Sequence, residues 1–181
     1  MNLDDTRKAL SIAIDTVLLK DKYLLHYNVS ERAITHKLAE YLQPLFSDFN
    51  VDCEYNRDID NIINQRKLLE ISEDEMLKMA RDKIREDETY SVYPDIIIHT
   101  RDNNENNHLV IEVKKTQNNK KDKKFDYLKL EKFTTQYRYR LGAYLEFETG
   151  KDARFAKIIY YQKGNERNIS ELMDFDKHEY C

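Results

Sequence analysis

Glycine and proline are scarce in this chain of 181 residues, with three of the first and two of the second. So few turn formers favour regular elements over long loops. The two cysteines, Cys53 and Cys181, lie far apart, which argues against a disulfide framework and offers no zinc-ligand spacing. No apolar run approaches the roughly 18 residues that a membrane span needs. The opening Met-Asn-Leu-Asp-Asp-Thr-Arg has neither the basic start nor the apolar core of an export signal. A cytoplasmic location without membrane contact is therefore expected. A phosphate-cradling glycine-rich loop is missing, as is a serine or cysteine nucleophile motif, so ATP hydrolysis and acyl transfer lack support. His26, His36, His99, His108 and His178 show no pairwise metal spacing, and His99, ending a strand, reads as a rim residue.

Charge is what the chain has in abundance. Asp, Glu, Lys and Arg make up 35% of it, against a modest hydrophobic fraction of 40%. The length suits one domain with a sizeable core. The net charge of −4 looks wrong for a nucleic-acid binder, but its distribution is uneven. Between Lys114 and Arg140 stand ten basic residues and only three acidic ones, Asp122, Asp126 and Glu131. That local excess can neutralise phosphates, or simply form a solvated loop and helix face. Usage rich in Asn, Lys, Ile and Tyr points to an AT-rich prokaryotic or phage genome.

Apolar spacing predicts a helix from about Asp4 to Leu19 and a second from about Ser30 to Phe46, with Ile34, Leu38, Tyr41, Leu42 and Leu45 as its buried stripe. Glu31 lies three residues before Ile34 and seven before Leu38, so it extends that stripe by one turn; it also suits a capping position after Asn28. Asn50 to Arg57 reads as a first strand. Ile59 to Glu88 reads as a polar, helical insertion. Later come a helix from about Lys123 to Tyr137, strands over Arg140 to Glu148 and Ala153 to Gln162, and a short helix around Ser170 to Phe175.

Between these elements lie two apolar runs with misplaced charge: Val-Tyr-Pro-Asp-Ile-Ile-Ile-His from Val92, and His-Leu-Val-Ile-Glu-Val-Lys-Lys from His108. Strand side chains alternate faces, so Glu112 and Lys114 share one face, and Asp95 reaches it if the runs pair as a hairpin. Two carboxylates and a lysine converging on a sheet suit a divalent metal with a cation beside it, and hence phosphodiester hydrolysis. A chance motif on an unrelated α/β domain would instead leave Asp95 and Glu112 apart or in separate salt bridges.

Pro94-Asp95 and Glu112-Val113-Lys114, each in an Ile/Val-rich run, resemble the two halves of the PD-(D/E)xK motif of the restriction-endonuclease-like nuclease superfamily. The resemblance implies an α/β fold with a restriction-endonuclease-like core, a small mixed β-sheet flanked by helices. It implies that Asp95, Glu112 and the Val113 backbone carbonyl hold Mg²⁺ or Mn²⁺, with Lys114 contacting water or phosphate. Glu31, on the first core helix, joins such a site in many members. The following helix often adds a polar or basic residue, here Lys129 or Gln136, although the Gln-x-x-x-Tyr spacing of one branch fails because Arg140 stands four residues after Gln136. Lys115, Lys120, Lys121, Lys123 and Lys124 would meet nucleic acid. The implied activity is a metal-dependent nuclease acting on DNA, with RNA a second substrate class and a homodimer or protein partner compatible with cutting both strands. The alternative is a binding module that keeps the fold without cutting. Restriction, repair, mobile-element and defence roles fit these residues equally.

Overall fold

The computed structural model describes residues 1–58, 66–72, 74–75, 89–118 and 120–167, with the backbone alone described at 89, 90, 121 and 167. Helix α1 (Leu3–Lys20) is capped by the Asn2 side chain, which accepts the Asp5 N–H at 2.8 Å. Asp4 and Asp5 sit in its first turn, where carboxylates oppose the positive end of the helix dipole. A short helix α2 (Lys22–His26), unforeseen in the sequence, leads into α3 (Glu31–Leu42), capped by Ser30. Helix α3 stops short of Phe46. Pro44 has no N–H to continue the α-helical ladder, and Gln43–Phe46 tightens into a 3-10 turn.

The remaining elements are β1 (Asn50–Cys53), β2 (Leu68–Glu70), β3 (Thr89–Ser91), β4 (Ile96–His99), β5 (Leu109–Lys115), α4 (Lys120–Thr135), β6 (Leu141–Glu148), β7 (Arg154–Gln162) and β8 (Asn165–Arg167). Six strands form one mixed sheet in the order β1-β4-β5-β6-β7-β8. Among the described strands only β5 and β6 are parallel, and α4 provides the crossover that parallel neighbours require. The outcome is the mixed α/β sheet between helices that the sequence suggested.

Alternation divides the core in two. Leu109, Ile111 and Val113 of β5, with Leu141, Ala143 and Leu145 of β6, pack with α1 and α3. Ile97, Val110 and Tyr144 point the other way, with Leu130 and Phe133 of α4 and Leu69 of β2. Strand β6 is thus covered on both faces, and its first seven residues, Glu146 included, are buried. Helix α4 lies close to it at Gly142, where an added Cβ would stand 3.1 Å from Tyr161 Cβ and 3.3 Å from Thr134 Cγ2. Among the described residues no helix is long and apolar enough to cross a membrane.

Three sequence expectations change. The first strand ends at Cys53 instead of Arg57, because Glu54 adopts a left-handed φ of 49°. Within the supposedly helical insertion, Leu68–Glu70 is a strand, paired antiparallel with Thr89–Ser91. The extended form is favoured because the Tyr137 hydroxyl accepts the Leu68 N–H at 2.7 Å and donates to its carbonyl at 3.0 Å. Most of the rest of that insertion, and the helix expected around Ser170 to Phe175, lie outside the described residues. Finally, Lys163 and Gly164, both left-handed, turn β7 back into the short strand β8.

A candidate active site of carboxylates and lysines

Register brings the motif together. Ile96 pairs with Ile111 and Ile97 with Val110, so Asp95, just before β4, comes level with Glu112. Parity puts Asp95, Glu112 and Lys114 on the face beneath α4. Asp95 Oδ2 accepts the Val113 N–H at 2.7 Å, which ties this carboxylate to the neighbouring strand. Glu112 is fully buried. Its Oε2 accepts from Lys129 Nζ at 2.6 Å, while its Oε1 has no hydrogen-bond donor. The two carboxylates are therefore neighbours, and only Glu112 is spent on a lysine.

Helix α4 adds a charged pair on its inner side. Lys129 Nζ lies 2.8 Å from Asp126 Oδ1, one turn away along the helix. Lys114 Nζ stands 3.3 Å from Asp126 Oδ2, close enough for an ion pair but without hydrogen-bond geometry, so Oδ2 also lacks a donor. Lys114 is also 3.3 Å from Glu31 Oε2. Glu31 arrives from the opposite helical layer, as the first residue of α3, and reaches the end of β5. Its Oε1 accepts from the Lys115 N–H at 2.9 Å and from Asn118 Nδ2 at 2.6 Å.

These contacts set the ionisation of the cluster. Burial drives the Glu112 carboxyl well above the usual range, and Lys129 only partly offsets it while Asp95 and Asp126 add to it. Burial likewise raises Asp95 against the pull of Lys129, the Val113 N–H and Lys114. Burial alone would lower the Lys114 ammonium, but Asp126, Asp95, Glu31 and Glu112 outweigh it and hold the group above its ordinary value. Lys129 behaves the same way, with Glu112 and Asp126 overcoming its burial. Both lysines therefore stay charged at neutral pH.

Asp95, Glu112, Lys114 and Glu31 thus come together, joined by Lys129. The basic block is dispersed. Lys115 Nζ donates to Asn28 Oδ1 and the Val29 carbonyl, and Lys123 Nζ to the Thr116 carbonyl and Glu146 Oε1. Lys120 and Lys124 are exposed, and the Lys121 side chain is outside the described residues. Gln136 stands away from the cluster, bonded through its amide to both the N–H and the carbonyl of Glu70. Sequence reasoning missed Asp126 and Asn118. Asp126 was within reach, because it lies four residues before Leu130 and seven before Phe133, one turn up the same inner stripe.

The donor set fits a hard divalent cation. Asp95, Glu112 and the Val113 carbonyl are all oxygen donors, and a buried carboxylate oxygen with no donor, Glu112 Oε1, is what a cation would satisfy. Among the described residues no three His, Cys, Asp or Glu side chains are placed together to hold an ion. The ligands from the chain would therefore be two carboxylates and one main-chain oxygen. No known protein family, curated protein or solved structure matches the chain.

Proposed function

We propose that the chain is a metal-dependent nuclease that hydrolyses phosphodiester bonds, with DNA as its first substrate and RNA as the second class to test. The observation that carries this reading is the meeting of Asp95 and Glu112 on adjacent strands, with a donorless Glu112 oxygen and the Lys114 ammonium on the same face. The small mixed sheet between helices supports the restriction-endonuclease-like core that the Pro94-Asp95 and Glu112-Val113-Lys114 pattern implies.

Asp95, Glu112 and the Val113 carbonyl would hold Mg²⁺ or Mn²⁺. Such an ion, when bound, lowers the pKa of a water and offsets charge on the phosphate. Lys114 is held as a cation by Asp126 and Glu31, so it is pre-set to meet a non-bridging phosphate oxygen as charge builds there. Glu31 keeps that ammonium at the end of β5 instead of letting it follow solvent. Lys120 and Lys124 supply free positive charge at the start of α4 for the polyanion.

The test is cleavage of supercoiled, linear and single-stranded DNA, with RNA in parallel, in Mg²⁺, Mn²⁺ or EDTA. Cutting should require the metal and fall by about 10²-fold or more in Glu112→Ala and Lys114→Ala. Cutting that is equal in wild type and both variants would remove the cluster from the chemistry.

A further inference from the structure

Four carboxylates meet two ammonium groups at the end of β5. Asp95, Glu112, Asp126 and Glu31 gather around Lys114 and Lys129, while Lys115 turns its own ammonium to Asn28 and Val29. With every group ionised, four carboxylates and two ammonium groups carry a formal charge of −2 in a largely buried set, which one divalent cation cancels. Lys129 stands in the way. Its ammonium lies 2.6 Å from Glu112 Oε2, on the carboxylate assigned above to the metal, and two cations against one carboxylate repel strongly where water is scarce.

Lys129 also has somewhere to go. Asp126, on the same helix, already accepts from it at 2.8 Å, and Asp126 Oδ2 has no donor of its own. A change of side-chain rotamer can break the bond to Glu112 and keep the one to Asp126, with no movement of the backbone. The Phe125 ring lies 5.9 Å from the ammonium.

Resting on the metal-site reading, we propose that Lys129 is the resident counter-ion of Glu112, and that a divalent cation enters by displacing its ammonium onto Asp126. Lys129 then acts as a threshold. It keeps the metal-free cluster from holding an unpaired buried carboxylate, and it admits only an ion that Asp95 and Glu112 bind more strongly than the ammonium. It is a positioning residue for the site, distinct from Lys114, which faces the phosphate.

The experiment is a Mn²⁺ titration followed by thermal unfolding of the full chain, for wild type, Lys129→Met and Lys129→Met/Glu112→Gln. Methionine keeps the aliphatic stem and removes the competing charge. Displacement predicts that Lys129→Met binds Mn²⁺ about 10-fold or more tightly than wild type, with a larger rise in Tm, and that Glu112→Gln abolishes the effect. Equal affinity in wild type and Lys129→Met overturns the displacement and leaves the metal site standing. A Mn²⁺ effect that is absent from wild type and Lys129→Met, or insensitive to Glu112→Gln, overturns the metal site itself. Should Lys129→Met fail to fold in EDTA, amine acetylation of wild type read by mass spectrometry decides. Labelling of Lys129 should rise severalfold in Mn²⁺ while exposed Lys151 stays constant, and unchanged Lys129 labelling at saturating Mn²⁺ refutes displacement.

Discussion

Replacing Gly142 tests whether α4 rests on the sheet at the spacing that brings Lys129 to Glu112. The backbone there is not left-handed, so space alone decides the outcome. A single methyl would lie 3.1 Å from Tyr161 Cβ and 3.3 Å from Thr134 Cγ2, each a few tenths of an ångström too close, and in ordinary contact with Leu130 Cδ2 at 3.4 Å. Removing the conformational freedom of glycine returns about 0.4–1 kcal/mol. Gly142→Ala should therefore stay within about 1 kcal/mol of wild type. Gly142→Val drives two further methyls into the same gap, an overpacking cost of about 1–3 kcal/mol, and its better strand propensity recovers at most about 1 kcal/mol. Net destabilisation of about 1–2 kcal/mol should appear in urea unfolding as a lower midpoint with unchanged slope. The tightest contact is with Tyr161 of β7 and the tight one on α4 is with Thr134, one turn after Leu130, which adjoins Lys129, so the helix is pushed off the sheet near where the lysine is carried. A misplacement of about 1 Å can lower a rate by as much as 10²-fold, so the proposed nuclease activity should fall more in the valine variant than its stability loss alone explains. A valine variant as stable and active as the alanine one would show that α4 does not depend on close approach at Gly142.

Acid should weaken the fold through His108. Its ring is buried, accepts or donates at 2.8 Å to the Thr6 hydroxyl and stacks on Phe49, and burial, followed by the Arg140 charge, lowers its pKa to about 4. The unfolded chain binds that proton near pH 6.5, so the contribution is intact above pH 6.5 and is lost as pH falls toward 4, on the order of 3 kcal/mol in all. His108→Gln should flatten this part of the stability profile between pH 6.5 and 4, and an unaltered slope would exclude His108 as its source. Tyr137→Phe removes the hydroxyl that serves both backbone groups of Leu68, at a cost of about 1–2 kcal/mol concentrated on β2. Hydrogen exchange at Leu68 should quicken by about 10-fold with the β5 amides unaffected, whereas a uniform change would mean that β2 does not open independently.

Much of this arrangement was legible because it follows from alternation. Glu112 and Lys114 two residues apart must share a face, and once the β4–β5 hairpin forms, Asp95 is carried to the same place. Helical period placed Glu31 on the inner stripe of α3, and it does reach Lys114. The strand Leu68–Glu70 was not legible, because the groups that fix it, Tyr137 and Gln136, stand more than sixty residues downstream and no local pattern announces them. The basic block was legible only as a sum, for a related reason. A count of charges treats lysines as equivalent, yet Lys123 is used to hold Glu146, Lys115 to hold the α2–α3 turn, and Lys129 to hold Glu112. Only burial separates them. A lysine on the apolar stripe of a helix, three residues after an aspartate on the same stripe, is turned beneath α4, where it meets carboxylates inside. That constraint makes Asp126 and Lys129 a single unit. It also explains why the sheet can keep Glu112, a fully buried carboxylate with one oxygen unmatched, beside Asp95 without expelling either from the core.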